Sequence, residues 1–273
     1  MFRYSTSIKD HGADDRARVF VKMSWQQQLP FLDRNDGSDW SFTNRYGACV
    51  CVSGRRKQSF AVMATMRIAS SLIVAILIAS SVYIAPDKNE YWIYFTHWSL
   101  MLLFLFFVDG AAVSLKLLSL SSNKSTTPSS LRCAVALQRV LFNVACTANV
   151  MSTIVYFIMT FGYEDGLRNP VNHVVHSVNS LLVFFEVATN AIDVRLYEVY
   201  QPIVYTFVYG TFAILYHHLT DVSIYKCFDW NAPTNRLFHL CFAFEIFTIF
   251  VYIVIYIVYY VKLSILLPNK TRL

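Results

Sequence analysis

Six long apolar blocks constrain the fold of this chain more than any other feature of its sequence. They cover residues 68–85, 93–120, 134–161, 171–192, 203–219 and 237–263. A helix of roughly 20 residues, rising about 1.5 Å per residue, crosses the roughly 30 Å hydrocarbon core of a bilayer. The chain is also 56% hydrophobic and only 15% charged, which leaves too little polar surface for a soluble globule of 273 residues. We therefore predict an all-α membrane protein, a bundle of about six transmembrane helices.

The connectors between the blocks are short, and this predicts how the helices are arranged. Tight hairpins make sequential helices antiparallel neighbours, so we expect one compact bundle without a second domain. The predicted domains are a flexible, basic cytoplasmic tail at 1–66, a six-helix transmembrane domain at 67–263 and a short cytoplasmic tail at 264–273. The long tail shows neither a sustained helical period nor a strand period.

Lysine and arginine residues predict the orientation of the bundle. Four of those near the block ends fall on one side, namely Lys88, Arg168, Lys226 and Arg236. Eleven fall on the other side: Arg55, Arg56, Lys57, Arg67, Lys116, Lys124, Arg132, Arg195, Lys262, Lys270 and Arg272. The positive-inside rule puts the richer side and both termini in the cytoplasm. The net charge of +6 therefore indicates topology in a lipid bilayer, and we predict no nucleic-acid partner.

Two further sequence signals concern modification. The glycosylation sequons at Asn123 and Asn269 fall on the predicted cytoplasmic side, where we expect them to stay unmodified. The six cysteines lack Cys-x-x-Cys spacing, which favours apolar filler over a disulfide framework or a zinc site. Cys49 and Cys51 lie just before a basic run and are candidates for acylation.

Ionisable side chains inside a membrane span are costly, so each is a candidate for function or for ion pairing. Toward the cytoplasmic side the blocks carry Asp109, Lys116, Arg139 and Glu186. Interhelical ion pairing explains these residues most simply, with Asp109 and Arg139 as one candidate pair. Lys116 can reach the cytoplasmic interface with its long side chain.

A second group of polar residues lies toward the predicted outer face and comes from four different blocks. Its members are Thr96, His97, His173, His176, His217, His218 and Glu245. In block 171–192, Asn172, His176, Asn179 and Glu186 follow offsets of 4, 7 and 14 residues, which line one helix face. That face is expected to point into the bundle, because lipid offers no hydrogen-bond partner.

Depth along the helices pairs Thr96 with His176. Both residues follow block starts at the outer face, at depths of about 6 Å and about 9 Å. A hydroxyl nucleophile needs a base, and histidine is the usual one, so this pair can act on an ester entering from the outer leaflet. Asn172, one turn from His176, can orient the imidazole, whereas Glu186 lies about 15 Å away along the helix.

Two alternatives stay open beside this catalytic interpretation. Threonine and histidine side chains often form structural hydrogen bonds between membrane helices. Histidines also bind metals and haem, but the chain has no His-x3-His pair, cysteine ligand or carboxylate–histidine motif to support such a site. We therefore predict no cofactor and no metal.

With these residues in view, the chain resembles the rolling stone family of animal multi-pass membrane proteins over roughly residues 90–262. The matching pieces are Tyr94-Phe95-Thr96-His97-Trp98, Phe107-Val108-Asp109-Gly110, the stretch 171–180, Val199-Tyr200-Gln201-Pro202 and Asp229-Trp230. The resemblance implies a plasma-membrane protein that acts in membrane or cell–cell events such as myoblast fusion.

The rolling stone family is in turn distantly similar to the androgen-induced membrane hydrolases, which cleave fatty acid esters of hydroxy fatty acids with an intramembrane threonine and histidine. That similarity implies Thr96 as the nucleophile and His176 as the base, with Asn172 and His173 supporting them. A structural membrane scaffold without catalysis is the third candidate function. Whatever the function, we predict structural roles inside the membrane for the polar residues Asp109, Arg139, Glu186 and Glu245.

Overall fold

The computed structural model of the chain describes residues 43, 45–51, 56–85, 88, 90–121, 128–160, 170–225 and 234–266, apart from the side chains at 56, 234–237, 263 and 266. All of these residues belong to one compact unit. Most of the predicted tail at 1–66 lies outside the described residues. So do both sequons and the Asp229-Trp230 piece of the resemblance.

The described residues form six long α-helices and no β-strand, which confirms the all-α prediction. Two short 3-10 turns, Tyr91–Ile93 and Leu196–Val199, precede α2 and α5. The helices are α1 (Arg56–Ile84), α2 (Phe95–Leu120), α3 (Ser129–Thr160), α4 (Pro170–Thr189), α5 (Tyr200–Thr220) and α6 (Thr234–Leu266).

Local sequence explains where two of these helices begin and end. Pro170 is the first residue of α4, a position where the missing amide hydrogen costs nothing. Helix α5 ends at Thr220. The next residue, Asp221, has a left-handed φ of 57°, and its amide donates to the His217 carbonyl at 2.8 Å. This arrangement is the usual way in which a helix satisfies one of its last carbonyls.

Five of the six helices are long and apolar enough to cross a membrane: the stretches Lys57–Ile84, Phe95–Leu120, Ser129–Thr160, Pro170–Thr189 and Phe238–Lys262. Helix α5 has 21 residues but carries more polar side chains, among them Thr206, Thr211, His217 and His218. The described residues therefore support a multi-pass membrane protein, while the number of six spans stays a prediction.

Large apolar side chains on the outside of the bundle point to the same environment. Leu72, Ile76, Leu181, Phe207 and Phe250 are all more than half exposed, although they come from four different helices. Monomeric soluble proteins rarely expose apolar surface on this scale, whereas lipid solvates such a surface.

Helices α1 to α4 pack as a closed ring. Helix α1 contacts both α2 and α4, and α3 contacts the same two helices from the opposite corner. Helices α5 and α6 pack against α3 outside this ring. Between the two ends of the ring, its interior is filled by apolar side chains, including Leu103, Phe106, Phe107, Phe142 and Val183.

The ring has two chemically different ends. At one end, α1 finishes, α2 begins and α4 begins; we call it the histidine end, because His97, His173 and His176 lie there. Towards the other end lies the side chain of Arg67, and we call this the arginine end. Sequential helices of the ring run antiparallel, as the short connectors predict.

Helix α1 begins at Arg56, 12 residues before the predicted apolar block. The added turns are amphipathic: Phe60, Met63 and Ala64 are buried, whereas Lys57 and Thr65 are exposed. The predicted apolar block does not include these first turns of α1, because a helix with one polar face does not form a continuous apolar run.

Residues 45–51 pack onto the arginine end of the ring, although the sequence predicted a flexible tail there. The Cys49 amide donates to Ser59 Oγ at 2.9 Å, and the Val50 amide donates to the Thr189 carbonyl at 2.8 Å. Cys49 and Asn190 form an isolated antiparallel bridge. Cys49 is buried and Cys51 is exposed, so an acyl chain could reach Cys51 without undocking this segment.

Candidate active site at the histidine end

The arginine end contains a fully buried ion pair. Arg67 is 0% exposed, and its Nη2 and Nε atoms donate to Glu186 Oε1 at 2.6 and 3.0 Å. Its Nη1 donates to the Tyr46 and Gly110 carbonyls at 2.6 and 3.1 Å, and lies 3.2 Å from Ser114 Oγ. We call these residues, with Gln138, the arginine cluster.

The arginine cluster explains one glycine of the resemblance motifs. A Cβ atom on Gly110 would lie 3.0 Å from both Arg67 Cδ and Gln138 Nε2. Gln138 in turn donates to the Tyr46 carbonyl at 3.1 Å. The cluster therefore joins four helices to the docked segment 45–51, and its pairing is typical of structural support.

Arg139 pairs with Glu198 instead of with Asp109. Glu198 lies in the 3-10 turn before α5, and it also accepts a hydrogen bond from Asn143 Nδ2 at 3.0 Å. The sequence missed Glu198, because it stands in a connector between two apolar blocks. Asp109 Oδ2 is buried and has no hydrogen-bond partner in the described part of the chain, with Arg67 in electrostatic range.

Glu245 ties α6 to α5. The Thr206 hydroxyl donates to Glu245 Oε2 at 2.8 Å. This hydrogen bond gives one carboxylate oxygen of Glu245 a partner on the neighbouring helix. Such pairing between helices is expected of a structural polar residue inside the membrane.

His176 is the most unusual polar residue at the histidine end. It is only 6% exposed, and its ring stacks on Tyr156 at 4.0 Å between centroids. Its Nδ1 atom is buried and makes no hydrogen bond within the described residues. His97 and His173 are in electrostatic range. We call Thr96, His97, Asn172, His173 and His176 the histidine cluster.

The backbone of α4 next to His176 is fixed by amide and hydroxyl contacts with α3. Asn179 Nδ2 donates to Asn149 Oδ1 at 3.1 Å, and the Thr153 hydroxyl lies 3.0 Å from Asn179 Oδ1 and 2.9 Å from the His176 carbonyl. Asn149 Nδ2 extends the network to α2 through the Ser99 carbonyl at 2.7 Å. These contacts hold the three helices in register around the histidine cluster.

Thr96 is the second residue of α2 and is half-buried. Ser114, which contacts Arg67 inside the ring, follows it by 18 residues, or about five full turns of α-helix. Thr96 therefore lies on the helix face that looks into the ring. No hydrogen bond joins Thr96 to His176 in the structure, and their helices stand at opposite corners of the ring.

The two supporting residues are both half-buried on the first turns of α4. The His173 ring packs against Tyr156 and Phe157, with centroids 5.4 and 6.0 Å apart. Asn172 does not hydrogen-bond to His176 Nδ1, because that atom has no partner among the described residues. No hydrogen bond to His176 Nδ1 among the described residues therefore supports the predicted role of Asn172 in orienting the imidazole.

Sequence reasoning missed the part that Arg67 plays in the core. Because Arg67 stands at the very edge of an apolar block, its position in the sequence predicts a topology determinant. The signal that could have found it is helical spacing, since Phe60, Met63, Arg67 and Val74 follow one buried stripe of α1. In the described part of the chain, no group of three or more His, Cys, Asp or Glu side chains is arranged to hold a metal ion.

The fold and the site together define a multi-pass helical membrane protein with a buried arginine cluster towards one end of its helix ring and a partly buried histidine cluster at the other. Comparisons with family models, with curated proteins and with solved structures found no match. The resemblance to the rolling stone family therefore stays a prediction from the motifs.

Proposed function

We propose that this protein is an intramembrane lipid-ester hydrolase of the rolling stone type, with six spans, both termini in the cytoplasm and its histidine end at the outer face of the plasma membrane. The single observation that carries the proposal is the buried Nδ1 atom of His176, which has no hydrogen-bond partner among the residues that the structure describes. Leaving a buried polar atom unpaired costs about 1–3 kcal/mol, and lipid supplies no water to satisfy it. An imidazole held in this way is suited to accept a proton or to bind a polar group of a substrate.

In the proposed reaction, Thr96 is the nucleophile and His176 is the base. The ester carbonyl would lie between α2 and α4, with Thr96 of α2 on one side of it and His176 of α4 on the other. The Thr96 oxygen attacks the carbonyl carbon while His176 accepts the hydroxyl proton and then passes it to the leaving alcohol oxygen. Water, activated by the same base, releases the fatty acid and restores Thr96. Fatty acid esters of hydroxy fatty acids are the substrate class that the resemblance implies.

An activity-based fluorophosphonate probe tests this proposal on membranes that contain the full-length protein. Read by peptide mass spectrometry, the label should lie on residue 96 in the wild type and in Thr96→Ser, and it should be lost from that position in Thr96→Ala and in His176→Ala. His218→Ala is the matched control, because His218 is exposed and stands outside the histidine cluster. An unlabelled wild type that unfolds cooperatively would rule out the hydrolase.

A second candidate function is a role in cell–cell events such as myoblast fusion, without chemistry. One observation favours it: Tyr94 and Trp98, two residues of the resemblance, pack with Tyr209 and Phe212 of α5 in a separate aromatic cluster. This role predicts that loss of the protein reduces cell mixing in a fusing tissue. Unchanged mixing would exclude it.

The third candidate is a structural scaffold. The Asn149–Asn179–Thr153 contacts favour it, because they join helices and leave no group free for chemistry. A scaffold requires that Thr96→Ala leave every cellular phenotype unchanged while the aromatic cluster and the helix contacts stay essential.

A further inference from the structure

A second hydroxyl and imidazole lie together at the histidine end. Ser81, near the end of α1, is 8% exposed, and its Oγ lies 3.4 Å from His97 Nε2. The other ring nitrogen, His97 Nδ1, bonds to the Tyr91 carbonyl. A carbonyl oxygen can only accept a hydrogen bond, so Nδ1 carries the proton and Nε2 is left with its lone pair. The Ser81 hydroxyl is therefore the donor, and His97 is its acceptor.

The His97 ring is fixed in the orientation that this hydrogen bond requires. The Tyr91 ring stacks on it at 3.6 Å between centroids, with 12° between the planes. Tyr94 meets it edge-on at 5.7 Å. A nucleophile, a base within hydrogen-bond reach and a third group that orients the base are the parts that activated hydroxyls share in proteins.

Tyr91 adds a free hydrogen-bond donor to this arrangement. The residue is 2% exposed, and its hydroxyl lies beside Ser81 without a partner of hydrogen-bonding geometry in the described part of the chain. Burial raises the pKa of Tyr91, so the phenol keeps its proton. A buried, unpaired O–H beside a nucleophile is placed to stabilise the oxyanion that forms during acyl transfer.

We propose that Ser81, His97 and Tyr91 form a second acyl-transfer site at the histidine end, with Ser81 as nucleophile, His97 as base and the Tyr91 hydroxyl as oxyanion donor. The proposal rests on the proposed function, in that lipid esters must reach this end of the bundle. Ser81 and His97 lie within one turn of their helix ends, the level at which the ester carbonyls of glycerolipids separate headgroups from hydrocarbon. Glycerolipid esters are therefore the substrate class that fits the site.

The reaction at this site is a two-step hydrolysis. Ser81 Oγ bonds to the ester carbonyl carbon, and its proton moves to His97 Nε2. The bond to the alcohol oxygen then breaks, and that oxygen takes the proton from His97. A water molecule next attacks the acyl-serine, giving a proton to His97, which returns it to Ser81 Oγ as the fatty acid leaves.

Fluorophosphonate labelling of the full-length protein in membranes, followed by peptide mass spectrometry, tests the assignment. We expect the phosphonyl group on Ser81, and its persistence there in Thr96→Ala. His97→Asn keeps a donor for the Tyr91 carbonyl but removes the base, so labelling of Ser81 should slow by about 100-fold or more. Ser80→Ala is the matched control on the same helix and should label at the wild-type rate.

Tyr91→Phe separates a catalytic role from a structural one. The substitution keeps the stacked ring and the backbone carbonyl, and it removes a hydroxyl that has no partner of hydrogen-bonding geometry among the described residues, so unfolding should change little. Labelling of Ser81 should nevertheless slow by about 100-fold, the usual effect of losing one oxyanion donor.

The outcomes distinguish this inference from the proposed function. Label on Thr96 with none on Ser81 would overturn the second site and leave the proposed function standing. No label on either residue, in a protein that unfolds cooperatively, would overturn both. Labelling of Ser81 at an unchanged rate in His97→Asn would refute the role of His97.

Discussion

At the scale of single residues, Arg67 is a fully buried charge that connects several parts of the core. It joins α1 to Glu186 on α4, to Gly110 and Ser114 on α2, and to the carbonyl of Tyr46 in the docked segment. A charge this deep is tolerable only because its partners are fixed around it.

Arg67→Met should destabilise the protein by about 3–5 kcal/mol, because it leaves Glu186 buried without a counter-charge. Chemical unfolding in detergent micelles measures the loss. The exposed Arg132→Met is the matched control and should change stability by less than about 1 kcal/mol. The double variant Arg67→Met/Glu186→Met should recover most of the loss; a double variant no more stable than Arg67→Met would contradict the pairing.

Gly110→Ala and Gly210→Ala should have opposite effects. The added methyl group at Gly110 meets Arg67 and Gln138 at 3.0 Å, so overpacking should cost about 1–3 kcal/mol. A Cβ at Gly210 meets nothing within 4 Å, and alanine should stabilise α5 by about 0.5–1 kcal/mol. Thermal unfolding of the two variants checks this, and equal shifts would argue against the close packing at Gly110.

At the scale of elements, the apolar blocks predicted the helices well, since five of the six starts lie within five residues of the observed ones. What they could not predict depends on contacts between distant segments. The first turns of α1 are amphipathic and need the ring to bury their apolar side. Residues 45–51 carry no regular apolar pattern, and contacts with distant residues such as Ser59, Arg67 and Thr189 order them. Glu198 pairs with Arg139 of α3, which is distant in sequence, and no local sequence pattern indicates this contact.

The docked segment can be tested with a cross-link. Residues facing each other in an antiparallel bridge have Cα atoms about 4.5–5.5 Å apart, which suits a disulfide. Asn190→Cys should therefore form a disulfide with Cys49 under mild oxidation, seen as a loss of two reactive thiols and a linked peptide. The control, Cys49→Ser/Asn190→Cys, should form no such link. A failure of the first variant to cross-link would mean that the segment is not docked in this way.

At the scale of the whole molecule, the two ends of the bundle differ in their polar residues: charged pairs lie toward one end and histidines toward the other. Arg67, Arg139, Glu186 and Lys262 all lie toward the arginine end, and the lysine and arginine count predicts that this end faces the cytoplasm. The same prediction puts the histidine end at the outer face, where lipid esters of the outer leaflet can reach it. This orientation depends on whether α5 crosses the membrane.

Glycosylation mapping of the full-length protein in cells tests that orientation most directly. An acceptor sequon inserted at 226–233, between α5 and α6, should be glycosylated, and the native Asn123 and Asn269 should not. If α5 does not cross, the chain has five spans, the inserted sequon stays bare and Asn269 becomes available outside. A glycan on Asn269 or Asn123 would contradict the six-span bundle with its histidine end outward.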